Sequence, residues 1–163
     1  MTIEVRPARV DDDLDDAGGI VHRAYVTLPD HPHDPEYDHQ LTQTRERMDD
    51  TVVVLGFLDG DLVGCLTYVP DHDNPHAEHG DAGAATFRYF GVRPEVQGKG
   101  VGAAMVRWCA DRARVDGRER LRIHTLSTMV GAQRLYEQLG FRRDPESDED
   151  WDGILGVAYV LHL

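Results

Sequence analysis

Lysine is almost absent from this chain. Of its 17 basic residues only Lys99 is lysine, and 30 Asp and Glu leave a formal charge of −13. With no basic footprint, neither a nucleic-acid backbone nor an anionic membrane surface is expected as the main partner. A cationic small substrate fits the acidic field, which would steer it. Cysteine is scarce as well. Cys65 and Cys109 form no Cys-x-x-Cys pair and read as two buried thiols of a reducing compartment. No apolar run approaches the ~20 residues that span a bilayer. Met1 to Arg9 lacks the basic and apolar regions of a signal peptide, so the expected location is the cytoplasm.

Against these absences stand 163 residues, 40% of them apolar. That length predicts one domain over 1–163, burying roughly 70% of its unfolded surface. A short first strand is read at Thr2–Arg6 and a helix within Val10–Leu28, with Asp11 to Asp13 at its positive end. Leu28–Tyr37 holds three prolines and reads as a loop, and Asp38–Met48 as a second short helix. Thr51–Leu58 and Leu62–Val69 read as strands joined by an Asp59-Gly60 turn. Pro70–Gly83 reads as a polar loop, Ala84–Val92 as a strand and Val101–Val115 as a helix. A strand at Arg120–Leu126 and a helix at Gly131–Leu139 follow, the helix stopped by Gly140 with Phe141 packing back. Asp144–Gly153 reads as an acidic loop and Ile154–Leu163 as the last strand. This order predicts a mixed α/β sheet with helices on both faces.

Gln97-Gly98-Lys99-Gly100-Val101-Gly102 opens the helix at Val101. Glycines at a helix start leave backbone N–H groups bare at the positive end of the dipole, and phosphate is the usual anion there. The residues allow three readings: a plain helix start, a dinucleotide fingerprint, or a coenzyme A pyrophosphate cradle. The fingerprint needs its glycines tight against the strand and an acid ~20 residues on. Arg93 to Val96 intervene, and Arg120–Leu126 ends without an acid. A Walker loop fails because Gly100, not Ser or Thr, follows Lys99.

Val92 to Gly102 resembles the acyl-CoA loop of the GCN5-related N-acetyltransferase (GNAT) family, Arg/Gln-x-x-Gly-x-Gly/Ala, with Gln97, Gly100 and Gly102 filling the pattern. Ala132-x-x-Leu135-Tyr136-Glu137-x-Leu139-Gly140-Phe141 is similar to that family's late helix and its exit, and Val5-Arg6-Pro7-Ala8 is a weaker match. The resemblance implies a GNAT-like fold over the whole chain, with two parallel strands, Ala84–Val92 and Arg120–Leu126, opening like a V. It implies acetyl-CoA as co-substrate, no metal, and an enzyme that transfers acetyl to a primary amine by direct attack on the thioester. Pantetheine would pair with the backbone of Phe90, Gly91 and Val92. The pyrophosphate would sit on Gln97, Gly98, Lys99, Gly100, Val101 and Gly102. An amide near Phe90 would polarise the thioester carbonyl, where one such donor is worth ~3 kcal/mol.

Tyr136 lies on an apolar helix face, where a tyrosine is ordinarily core; the resemblance implies the acid for the leaving sulfur. His124, inside the second strand of the V, is either a strand histidine satisfied by neighbours or a base acting directly or through water. Met129 stands where the family often has Asn, and Ser127 or Thr128 is expected to cap the helix instead. His31, His33, His72, His76 and His79 sit in loops and read as solvated rather than metal-bound. The acids around them (Asp30, Asp34, Glu36, Asp71, Asp73, Glu78) suit a cationic acceptor or a solvated surface. The acceptor is expected to be a small-molecule or peptide amine. The family often forms dimers, so a homodimer falls within what the resemblance implies. A non-catalytic acyl-CoA-binding or regulatory module of the same fold is the alternative.

Overall fold

In the computed structural model, which describes residues 1–29, 31 and 34–163, the chain begins with β1 (Ile3–Pro7). The Asp13 side chain accepts from the Asp16 amide and starts α1 (Leu14–Val26). The proline-rich segment is not loop throughout. Asp34 accepts from the Tyr37 amide, and α2 (Pro35–Thr42) begins on Pro35, where the missing N–H costs nothing. Gln43 breaks the helix, and α3 (Thr44–Arg47) follows as a single turn. The second helix predicted at Asp38–Met48 is thus two shorter ones, the first starting three residues earlier.

β2 (Val52–Leu58) and β3 (Asp61–Val69) form the expected hairpin. Asp59 at φ +50° and Gly60 at φ +88° take the left-handed conformations that a two-residue turn requires. β4 (Ala84–Val92), α4 (Val101–Val115) and β5 (Arg120–Leu126) have the expected bounds. A 3-10 turn at Pro94–Val96 fills the gap between β4 and the glycine loop. α5 (Val130–Gln138) ends in a Schellman motif: Phe141 N–H donates to the Tyr136 carbonyl and Gly140 N–H to that of Glu137, with Gly140 at φ +96°. β6 (Arg142–Arg143), β7 (Glu149–Trp151) and β8 (Ile154–His162) complete the chain. The predicted acidic loop at Asp144–Gly153 therefore contains a strand, β7, joined to β8 through Asp152 (φ +56°) and Gly153 (φ +90°).

The eight strands are hydrogen-bonded in the order β1-β2-β3-β4-β5-β8-β6, with β7 on β8. The pairs β1–β2, β2–β3 and β5–β8 are antiparallel, whereas β4–β5 is parallel. The sheet is mixed, as predicted.

The chain divides into two compact units, Met1–Tyr68 with Tyr89–Trp108, and Val69–Arg88 with Cys109–Leu163. The division falls within β4, within α4 and before the last residue of β3. In the first unit Ala17, Val21, Leu41, Val53, Leu55, Cys65 and Tyr89 form the core. Gly56 faces Gly64 across β2 and β3. A Cβ on either would lie 2.8 or 2.6 Å from the Met105 sulfur, so the two glycines make the slot that seats α4. In the second unit Tyr136 packs among Phe87, Phe141 and Tyr159, with ring centres 5.5–6.0 Å apart. Both cysteines are free and buried.

Candidate active site

The glycine loop lies in the first unit. Gly98 (φ +83°) and Gly100 (φ +94°) occupy left-handed backbone, which a side chain would strain by ~1–2 kcal/mol. Space is not the constraint: a Cβ on Gly98 would touch nothing, and one on Gly100 only Ile3 at 3.6 Å. Gln97 and Lys99 spend their amides on long bonds inside the loop, to the Pro94 and Val96 carbonyls at 3.3 Å each. The amides of Gly98, Gly100, Val101, Gly102 and Ala103 have no partner among the described residues. Ala104 is the first amide of α4 to find one, the Gly100 carbonyl at 3.0 Å. Five bare N–H groups at the start of a 15-residue helix are an anion site. Lys99 pairs with no carboxylate among the described residues, and the Gln97 side chain donates through Nε2 to the Val92 carbonyl at 3.3 Å.

Immediately before Phe90, Tyr89 has φ +53° in the middle of β4. A bulky residue in that region costs ~1–3 kcal/mol and persists only where its surroundings hold it. Here they do: Gln40 donates to the Tyr89 hydroxyl at 2.8 Å, and the Arg47 guanidinium lies 4.1 Å over the ring. Arg93 anchors the strand end through its amide to the Val63 carbonyl (2.8 Å) and its side chain to Asp16 (2.7 Å). The Phe90 amide, expected to polarise a carbonyl, donates to the Tyr25 hydroxyl at 3.4 Å, a bond at the weak limit. At Gly91 a Cβ would sit 3.0 Å from the Ile20 carbonyl and from Val21 Cα, so α1 crosses the strand where no side chain intervenes.

In the second unit β4 and β5 pair only at Ala84–Arg120 and Ala85–Leu121. Thr86–Arg88 and Arg122–Leu126 form no ladder with each other, which is the opening of the V. β5 instead pairs along its whole length with β8.

The His124 side chain is 6% exposed, facing Trp151 with ring centres 5.8 Å apart. Its Nε2 lies 2.8 Å from the Ser147 carbonyl oxygen. A carbonyl only accepts, so Nε2 carries the proton and, in the neutral ring, Nδ1 carries the lone pair. Nδ1 makes no hydrogen bond among the described residues; Glu78 Oε2 is 3.9 Å away. Tyr136 is 4% exposed. Burial first, and the neighbouring Cys109 second, push its hydroxyl well above the ordinary tyrosine value.

Met129 is the residue before α5, and no side chain caps that helix. Neither Ser127 nor Thr128 does so, contrary to expectation. Gln133 reaches back to the Leu126 and Ser127 carbonyls (3.2 and 3.1 Å), and Thr125 donates to the Met129 sulfur at 3.2 Å.

A model of the acetyltransferase (GNAT) family matches residues 20–141. The chain belongs to the GNAT acetyltransferase family. Among curated protein sequences none matches it. Solved GNAT structures share its fold. A proposed GNAT acetyltransferase of Desulfovibrio desulfuricans is 19% identical, with 99% of each chain covered and a TM-score of 0.76. The GCN5-related N-acetyltransferase of Kribbella flavida is 22% identical over 99% of this chain and 98% of its own, with a TM-score of 0.72. A GNAT acetyltransferase of Elizabethkingia anophelis with acetyl-CoA bound is 15% identical over 99% and 98%, with a TM-score of 0.64.

The loop histidines of this GNAT protein are not uniformly solvated. The His31 side chain is 9% exposed, with Nε2 2.8 Å from Asp38. His79 is half-buried, accepts from the Asp81 amide at 3.1 Å, and has its Nε2 shielded without a partner among the described residues; burial lowers its pKa. His33 and Asp30 lie outside the described residues. No group of three or more His, Cys, Asp or Glu among the described residues is arranged to hold a metal. No described helix is long and apolar enough to cross a membrane.

Sequence reasoning missed what surrounds His124. Ser147 and Trp151 come from the segment read as an acidic loop, although Asp152-Gly153 was a turn signal of the same kind as Asp59-Gly60. It also missed the strain at Tyr89, for which the sequence holds no signal.

Proposed function

We propose that this GNAT protein is an acetyl-CoA-dependent N-acetyltransferase acting on a primary amine. The observation that carries the reading is the set of amides on Gly98 and on Gly100 to Ala103 that have no partner among the described residues. Two left-handed glycines hold it at the mouth of a family-matched helix. Those amides fit a pyrophosphate, with Lys99 adding a point charge. Phe90, Gly91 and Val92 would take the pantetheine, and the Phe90 amide would turn from its weak bond with Tyr25 to the thioester carbonyl. When bound, acetyl-CoA supplies an activated acetyl group with a thiol leaving group.

In direct attack an N–C bond forms, the C–S bond breaks, the amine loses protons and the sulfur gains one. Two side chains are suited to the proton traffic. His124 presents Nδ1 to take a proton from the ammonium. Tyr136, held protonated by burial, can give one to the sulfur. The same burial of Tyr136 in an aromatic cluster favours the second reading, a module that binds acyl-CoA without turnover.

Thermal shift with acetyl-CoA tests the first step. A ligand at a hundred times its Kd adds about 2.7 kcal/mol to stability; no shift at high ligand overturns the reading. Thiol release over an amine panel separates enzyme from module.

A further inference from the structure

A cavity of about 450 Å³ opens in the second unit, walled by β5, β8 and the two loops that precede β4 and β7. It is not the glycine loop, which belongs to the other unit. Five carboxylates line it (Glu78, Asp81, Glu146, Asp148 and Glu149) against one arginine, Arg122.

Some of this charge is already matched. Asp81 is held by Arg120 and Arg122 at 2.7 Å each, and Asp148 by Arg143 at 2.7 Å. Glu146 and Glu149, both exposed, have no arginine partner among the described residues; Glu149 accepts only from the Trp151 indole, at 2.7 Å. Glu78 is held by Arg88 through one oxygen, at 2.8 Å, and turns the other toward His124.

Two side chains mark the cavity as more than an acidic patch. The His124 side chain is nine-tenths buried, and its Nδ1 makes no hydrogen bond among the described residues; His79 lines the same wall, its Nε2 without a hydrogen-bond partner among them. Glu78 Oε2 and His124 Nδ1 stand 3.9 Å apart. That is too far to bond each other, yet one ammonium nitrogen reaches both at ~2.9 Å.

We propose that this cavity is the acceptor site, that a primary alkylammonium binds with its nitrogen between Glu78 Oε2 and His124 Nδ1, and that Glu146 and Glu149 select an acceptor carrying a second positive charge at its far end. The inference rests on the acetyltransferase reading and names the class of its acceptor. His124 takes the proton at Nδ1 and the neutral amine is left as nucleophile; Glu78 balances the imidazolium. An acceptor with a carboxylate at its far end meets repulsion instead.

The test uses three probes of equal length: a four-carbon diamine, the four-carbon monoamine and the four-carbon ω-amino acid. Thiol release with acetyl-CoA is expected to give kcat/KM in that order. Each exposed carboxylate contributes up to about fivefold, and the spread narrows as salt rises. E146Q/E149Q should bring the diamine down to the monoamine while leaving the thermal shift by acetyl-CoA intact. Glu78→Gln should raise KM for diamine and monoamine alike. Equal rates for the three probes, a preference for the amino acid, or an order unmoved by E146Q/E149Q overturns the proposal. If no probe releases thiol, the acetyltransferase reading falls. Calorimetric binding of the diamine and the amino acid then decides the cavity separately: a diamine preference abolished by E146Q/E149Q upholds the ammonium site, and its absence ends it.

Discussion

The guanidinium of Arg47 lies 4.1 Å over the ring of Tyr89, the one residue within a strand whose backbone is left-handed among those described. Arg47 also donates to the Thr67 hydroxyl (3.1 Å) and to the Gln40 and Leu41 carbonyls (2.6 and 3.3 Å). It thereby ties α2 and β3 to the strained point of β4. Lysine cannot reach three acceptors in that fan. Arg47→Lys is expected to lose about 2 kcal/mol in urea unfolding, from buried hydrogen bonds left unmade. It should also weaken acetyl-CoA binding, because Phe90 to Val92 follow directly on Tyr89. A variant as stable as the parent would show that the strain at Tyr89 is held by other groups.

Gly100→Ala isolates backbone conformation from space. The new methyl meets only Ile3 at an ordinary 3.6 Å, so the cost is that of forcing φ +94° on a side chain, ~1–2 kcal/mol. Either the protein pays it, or the loop relaxes and its amides turn away. In the first case unfolding shows the loss and the acetyl-CoA shift persists; in the second the shift shrinks. Comparison of apo and acetyl-CoA melting curves checks both, and a variant unaffected in either would count against the cradle.

Tyr136→Phe keeps the aromatic contacts to Phe87, Phe141 and Tyr159 and removes one oxygen. Stability should change by less than about 1 kcal/mol and acetyl-CoA affinity hardly at all. Turnover should fall by about a hundredfold if the phenol donates to sulfur. The pH dependence has a definite sign. The folded hydroxyl titrates above the unfolded one, so its stabilising contribution is complete below pH ~10, where free tyrosine begins to ionise. That contribution is lost as pH rises further. Stability of the parent should fall in alkali more steeply than that of Tyr136→Phe, as measured by urea midpoints between neutral and strongly alkaline pH.

At the acid end the carboxylates of Asp12 and Asp148 are pulled down to about 2, chiefly by Arg6 and Arg143. Asp81 is pulled lower still by Arg120 and Arg122. Their folded values lie below the unfolded ~3.9. The stability they confer is therefore present above pH ~4 and drains as pH falls through about 2. Asp81→Asn should lower stability at neutral pH and flatten the acid limb. An acid limb as steep as the parent's would mean that other carboxylates set it.

Much of the fold was legible because its signals are local. An apolar run marked β4 and alternating apolar residues marked β5, both to the residue, Asp59-Gly60 marked a hairpin, and Gly140-Phe141 marked the end of α5. The three misreadings of the fold were also local. Three prolines suggested loop where Asp34 and Pro35 start a helix, Asp144 to Gly153 read as an acidic loop although it contains a strand, and Ser127 or Thr128 was expected to cap α5.

Of the candidate site, the glycine loop was written in the sequence, since bare amides need only glycine, a helix start and its dipole. The surroundings of His124 were not. Glu78, Ser147 and Trp151 lie 46, 23 and 27 positions from it along the chain, and no spacing rule links them. Their meeting depends on β5 pairing with β8 and on the loops folding over that pair. Chain order determined where an anion can rest; only packing decided which nitrogen of His124 is left with a lone pair, and what faces it.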